Sequence, residues 1–228
     1  MNYVLILAGG NGVRFGNNDT PKQFALIDNR TVLEHAIDAF EKCGDIDRIF
    51  VVMNEKYLTK AQELIQRNSF AKFRGMVEGG ISRFESSFAG LKRIEQDLEE
   101  LNEKSGKVLI HDAARAYVTP EVIKSVVDAL DSSDAVQPIV PVAETIVQKI
   151  DGRWQTQNRD DFATVQTPQG FCFNKIYDAY MRAVNNPLTS WTPTDDISVL
   201  SEYSRNAKIS VVAGDHKNRK ITYSEDLR

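Results

Sequence analysis

Tyr3-Val4-Leu5-Ile6-Leu7-Ala8-Gly9-Gly10-Asn11-Gly12-Val13-Arg14 is the stretch that decides the fold. Tyr3 to Leu7 is an unbroken apolar run, the pattern of a strand covered on both faces within a parallel sheet. The turn that leaves it carries three glycines, which lack a Cβ and let backbone N–H groups come close to a ligand. Arg14, and then Lys22 within Pro21-Lys22-Gln23, bring two positive charges to the same end of the sheet. Strand, glycine turn and paired cations together point to a polyphosphate site; the turn alone could equally be a tight connection.

Outward from this stretch, strand-like and helical runs alternate. Thr31 caps a helix whose apolar positions Leu33, Ile37 and Phe40 recur at helical spacing, and Gly44 stops it. Ile49 to Met53 reads as a second buried strand, and residues 55–68 as an amphipathic helix. Gly79-Gly80 breaks the chain before Ser82, the cap of a charge-rich helix reaching about residue 104. Lys107 to His111 is a third buried strand, Thr119 and Pro120 open a helix over 120–131, and Ala135 to Val140 is a fourth strand. The alternation predicts an α/β fold: an open, mostly parallel twisted sheet with helices on both faces. Right-handed crossovers then gather the strand C-terminal ends on one edge, where ligands bind in such sheets. Gly10, Asp112 and Pro141 all lie just past strand ends.

Residues 141–167 interrupt the pattern. Glu144 to Ile150 alternates apolar and polar side chains, Asp151-Gly152 is a hairpin turn, and Arg153-Trp154-Gln155-Thr156 returns. This antiparallel β-hairpin should protrude from the body. Trp154 and the alternating faces fit a dimer arm, a solvated hairpin being the alternative. The reading is one domain over 1–228, with 141–160 as a dimerisation arm.

The 228 residues are 42% hydrophobic and 26% charged, ordinary values for a globular chain. A net charge of −4 argues against bulk nucleic-acid binding, because there is no basic surplus to displace counterions. The start lacks the charged region of a secretory signal, and no apolar run approaches the ~18 residues of a membrane span. Cys43 and Cys172, far apart and without metal-ligand spacing, read as free thiols of a cytoplasmic protein.

For chemistry, Asp112 at the end of the third strand is either a Mg²⁺ ligand or a turn cap. Arg115 offers a forked donor for phosphate oxygens, and His111 reads as structural. Asn218-Arg219-Lys220-Ile221-Thr222 places two cations at an expected strand edge after Lys208 to Val212. Asn158-Arg159 follows the arm, and Gln166 to Phe171 reads as a polar turn. Thr194 is the expected cap of a helix whose Asp195 and Asp196 complement its dipole.

These residues, in order, carry a resemblance. Ala8 to Arg14, Pro21-Lys22-Gln23-Phe24, Leu33-Glu34-His35, Gly79-Gly80 with Arg83 and Ser86, and His111 to Arg115 are similar to the cytidylyltransferases acting on methylerythritol and ribitol phosphates. So are Thr145, Asn158-Arg159, Gln166 to Gln169, Thr194 to Asp196 and Lys220-Ile221-Thr222. The resemblance implies a Rossmann-like nucleotidyltransferase fold, CTP as donor, pyrophosphate as product and a homodimer. It implies that Arg14, Lys22 and Lys220 act on the reacting phosphates. It puts Ala8, Gly9, Gly10, Gly80, Ser86 and Asp112 around the nucleotide, with Asp112 also holding Mg²⁺. Arg115, Thr145, Arg159, Thr167 and Thr194 match positions around the acceptor, the arm's pair entering a neighbouring subunit's site. His111 to Arg115 leans towards a methylerythritol phosphate acceptor; Leu7 to Gly10 and Asn158-Arg159 lean towards ribitol 5-phosphate. Ala116, Ile81-Ser82 and Arg219 depart from the family's usual residues, and the family usually continues past Arg228 into a closing helix. Two rivals are a nicotinamide-dinucleotide oxidoreductase, against which Phe15 occupies the third fingerprint glycine, and a non-catalytic nucleotide-binding protein.

Overall fold

A computed structural model of the chain describes residues 1–10, 21–188 and 191–227. In chain order the strands and helices begin with β1 (Asn2–Leu7), β2 (Leu26–Ile27), β3 (Arg30–Thr31), α1 (Val32–Glu41), β4 (Arg48–Met53) and α2 (Leu58–Asn68). Next come β5 (Phe73–Glu78), α3 (Arg83–Glu100), β6 (Lys107–Asp112), α4 (Pro120–Ala129) and β7 (Ala135–Pro141). The remainder is β8 (Val147–Ile150), β9 (Arg153–Thr156), β10 (Ala163–Val165), β11 (Gln169–Cys172), α5 (Phe173–Asn185), α6 (Asp196–Tyr203) and β12 (Ile209–Ala213).

The sheet runs β10-β7-β11-β6-β1-β4-β5, with β12 also paired to β7. The β6-β1-β4-β5 block is parallel throughout. β1 lies in its middle and is buried from both sides, as its unbroken apolar run requires. Val4 and Ile6 enter the core shared with α1, α2 and α4, while Tyr3 and Leu5 enter the one shared with α3, α5 and α6. Helices therefore cover both faces, and burial of these two apolar layers is the main force holding the fold.

β11 departs from the expected polar turn. It runs antiparallel between β6 and β7, so that β7 still points the same way as β6 and delivers Pro141 to the same edge. α3 ends at Glu100, short of residue 104, and α4 ends at Ala129. Helix starts follow the cap chemistry: Thr31 with Glu34 and Ser82 with Glu85 form reciprocal capping boxes. The α6 cap is Asp195, not Thr194; the Asp195 carboxylate accepts from Ser198 N–H at 2.9 Å. The segment around Lys220 is irregular chain and not a strand.

The hairpin forms as a separate two-stranded sheet, β8-β9. Its turn residues Asp151 and Gly152 both take positive φ, 49° and 78°, the backbone of a two-residue turn that matches strand twist. Trp154 is 68% exposed and Val147 47% exposed on it.

Candidate active site

At the C-terminal edge of the parallel block lies a cavity of about 220 Å³. Ala8, Gly9 and Gly10 from the end of β1, Gly80 and Ser86 around the start of α3, and Asp112 from the end of β6 line it. Lys22 and Lys220 border it too. Backbone bonds set these strand exits side by side: Ala8 N–H donates to Val52 O, Gly79 N–H to Met53 O, and Ala113 N–H to Leu7 O. A Cβ built on Gly10 would meet no atom of the described residues within 4 Å, so their packing does not demand glycine there. That open space faces the cavity and is room for a ligand to approach the backbone. Gly80 is the opposite case. A Cβ there would lie 2.2 Å from Glu85 Cβ, and Glu85 is fixed by the capping box, its carboxylate accepting from Ser82 N–H at 2.9 Å.

Asp112 is the electrostatic centre. Its Oδ2 accepts from Lys220 Nζ at 2.6 Å, and its Oδ1 faces the Arg83 guanidinium at 3.4 Å. Burial alone would raise its pKa, but Arg83 and Lys220 outweigh that and hold the carboxyl well below the usual carboxylate range. It is therefore ionised at any working pH. Its backbone N–H donates to Thr167 Oγ1 at 3.1 Å, and the same hydroxyl lies 3.1 Å from His111 Nδ1. His111 Nε2 lies 3.1 Å from Arg115 O, a carbonyl that can only accept. Nε2 therefore carries the proton and Nδ1 accepts from Thr167. Burial pushes the His111 pKa down to about 4, which keeps this neutral tautomer in place.

The chain after β12 is laced onto this loop. Asn218 Nδ2 donates to Thr167 O at 2.9 Å, Arg115 Nη1 to Asn218 O at 2.8 Å, and Ile221 N–H to Ala114 O at 2.8 Å. Lys22 Nζ donates to Ile221 O at 3.1 Å. Two cations distant in sequence are thus held at one cavity, Lys220 of them against the Asp112 carboxylate.

Of the residues expected from sequence, Ala8, Gly9, Gly10, Lys22, Gly80, Ser86, Asp112 and Lys220 line one cavity. Arg115 and Thr167 stand next to it through the bonds just described. Thr145, Arg159 and Thr194 are exposed and do not line it, and Arg159 Nη1 donates to Ala143 O at 2.6 Å. Arg14 lies outside the described residues. The sequence reading passed over Gln23, 3% exposed at the cavity, and Asp196, whose carboxylate does more than complement a dipole: it pairs with Arg83 at 2.7 Å. Arg83 and Asp196 each sat in a quoted motif, but their pairing is tertiary.

Among the described residues no three His, Cys, Asp or Glu side chains cluster as a ready-made metal cage. One ionised carboxylate beside an open, phosphate-sized space instead fits an oxygen-seeking ion that takes most of its ligands from substrate and water, the habit of Mg²⁺.

The sequence model for 2-C-methyl-D-erythritol 4-phosphate cytidylyltransferase (IspD) matches residues 2–228. The enzyme of that name from Thermobifida fusca is 34% identical over 97% of this chain and 88% of its own. The one from Halalkalibacterium halodurans is 35% identical over 98% and 92%. Among solved structures, 4-diphosphocytidyl-2C-methyl-D-erythritol synthase from Anaerococcus prevotii superposes with a TM-score of 0.82 at 28% identity, covering 99% of this chain and 92% of that one. The Francisella tularensis cytidylyltransferase gives 0.78 at 28%, covering 99% and 96%. With the cavity, its cations and the Asp112 carboxylate in the corresponding fold, the chain belongs to the 2-C-methyl-D-erythritol 4-phosphate cytidylyltransferase family.

Proposed function

We propose that the protein transfers the cytidylyl group of CTP to the phosphate of 2-C-methyl-D-erythritol 4-phosphate, releasing pyrophosphate. The observation that carries this reading is the convergence of Lys22, Lys220 and ionised Asp112 on a cavity lined by the bare backbone of Gly9 and Gly10. A phosphomonoester has a second pKa near ~6, so the acceptor is already largely a dianion at neutral pH and needs no side-chain base. Its oxygen bonds to the α-phosphorus as the bond to the β-phosphate oxygen breaks, and the electron pair leaves with pyrophosphate. The task for the protein is to bring anions together and offset the charge on the departing group. Lys22 and Lys220 take that role, with Arg14 as the third cation. The backbone of Ala8 to Gly10, with Gly80 and Ser86, holds the nucleoside. Asp112 would hold Mg²⁺, which when bound supplies further positive charge to the phosphates.

Arg115 and Thr167 are the acceptor-side groups of the same chain. Thr145 and Arg159, both on the arm, do not border their own cavity, which supports a homodimer in which the arm, 141–160, completes the neighbouring site. Exposed Trp154 and Val147 on the hairpin support it too. Free Cys43 and Cys172 support a reducing, cytoplasmic setting. No helix among the described residues is long and apolar enough to cross a membrane.

A pyrophosphate-release assay with CTP tests the reading. Methylerythritol 4-phosphate should support turnover far better than ribitol 5-phosphate, and UTP should replace CTP poorly. Release with ribitol 5-phosphate alone would move the acceptor assignment; release with neither acceptor would overturn the activity.

A further inference from the structure

We propose that Arg83, anchored by Asp196 and Tyr180, is a positioning residue that sets the orientation of the Asp112 carboxylate towards the reacting phosphates. The inference rests on the cytidylyl-transfer reading above.

Arg83 is the first residue of α3, and its guanidinium lies between two carboxylates. Nη2 pairs with Asp196 Oδ2 at 2.7 Å, while Nε and Nη2 face Asp112 Oδ1 at 3.4 Å. The Asp196 contact is an ion pair with a fully buried carboxylate. Asp196 is itself held on two sides. Its Oδ1 accepts from Tyr180 O–H at 2.6 Å, and its backbone N–H donates to Gln169 Oε1 at 3.1 Å. Gln169 pairs with Ile110 in β6, two residues before Asp112, so the anchor is referenced to the strand that carries Asp112. The Tyr180 ring stacks on Phe84 of α3 at 4.7 Å, which keeps its hydroxyl from swinging away.

A staple between α3 and α6 would not need these charges. Burying an ion pair costs desolvation that an apolar pair avoids, so such pairs are weak stabilisers. Here the buried pair leaves one edge of the guanidinium to face Asp112. That contact turns Oδ1 towards Arg83 and leaves Oδ2 towards Lys220, both cations standing at the wall of the cavity. When Lys220 moves to a phosphate, Arg83 remains as the cation that holds the carboxylate. Its own net attraction for phosphate is low, because Asp196 already offsets its charge.

The test is a pair of cycles, Arg83→Gln and Tyr180→Phe, each made in the unaltered protein and in Asp112→Asn. Arg83→Gln should lower kcat by about tenfold to a hundredfold, the range for groups that orient a functional ligand, with KM for CTP changed less than about threefold. In the Asp112→Asn background it should lower kcat no further, because the group it positions is gone. Tyr180→Phe should follow the same pattern at about threefold. Calorimetry gives a second readout: Mn²⁺-dependent enhancement of CTP binding falls about tenfold in Arg83→Gln, while metal-free CTP binding is unchanged. Thermal unfolding checks that each variant is folded at the assay temperature, and Tyr180→Phe carries the cycle if Arg83→Gln is not. Equal losses in both backgrounds, or weakened metal-free CTP binding, would overturn the positioning role. An unaltered protein that releases no pyrophosphate would instead refute the cytidylyl-transfer reading.

Discussion

Asp112 was legible from its own surroundings, because a charged residue just past a buried apolar run stands at a strand exit, whereas Lys22 and Lys220 were singled out through the motifs that carry the resemblance. Lys22→Ala should lower kcat by roughly 10²–10³, the cost of removing one preorganised donor to a developing charge; near-normal pyrophosphate release would refute its role. The Arg83–Asp196 pair was not legible, since nothing local in either helix start reports that α3 and α6 meet. His111 was read as structural, and its two ring bonds explain why. Folding holds it neutral, so the unfolded chain binds a proton more readily. Stability should therefore fall as pH drops from about 6.5 towards the folded value of about 4. Between pH 7 and pH 5 the loss from His111 is about 2 kcal/mol, in a window above the ordinary pKa values of Asp and Glu, about 3.9 and 4.3. Denaturant unfolding of metal-free protein at the two pH values measures it, and His111→Asn should flatten the difference.

Among the elements, the four buried strands and the capped helices were readable because period and cap chemistry are local. β5 was missed: Phe73-Arg74-Gly75-Met76-Val77-Glu78 mixes polar and apolar residues, and Gly75 has φ of 155° where the register with β4 shifts. β11 was missed for another reason. Gln169 is fully buried because α6 uses its side-chain oxygen, and Gly170 is needed because a Cβ would lie 2.5 Å from Val126. Both needs are tertiary, so the segment reads as a turn. The start of α3 joins element to site. Gly80→Ala forces the loop away from Glu85 Cβ, which lies 2.2 Å from the added atom. Overpacking of this kind costs about 1–3 kcal/mol, so KM for CTP should rise about tenfold. Steady-state titration of CTP measures it; an unchanged KM would separate that loop from the nucleotide.

For the whole molecule, the α/β class followed from alternation alone, whereas subunit number depends on surfaces that only side-chain exposure reveals. Trp154 at 68% exposed is a large apolar area on a two-stranded hairpin that could not stand alone. Trp154→Lys should convert a dimer to monomers in sedimentation velocity and lower kcat/KM for the acceptor more than for CTP. A monomeric unaltered protein, or a variant still dimeric, would refute the arm as the interface. Asn218, Lys220 and Ile221 follow every sheet strand in the chain, yet they tie down Arg115, Thr167, Ala114 and Lys22. A protease that trims the chain just after Ala213 would leave a body with all the described strands and no Lys220, so the cut would abolish turnover while sparing the sheet.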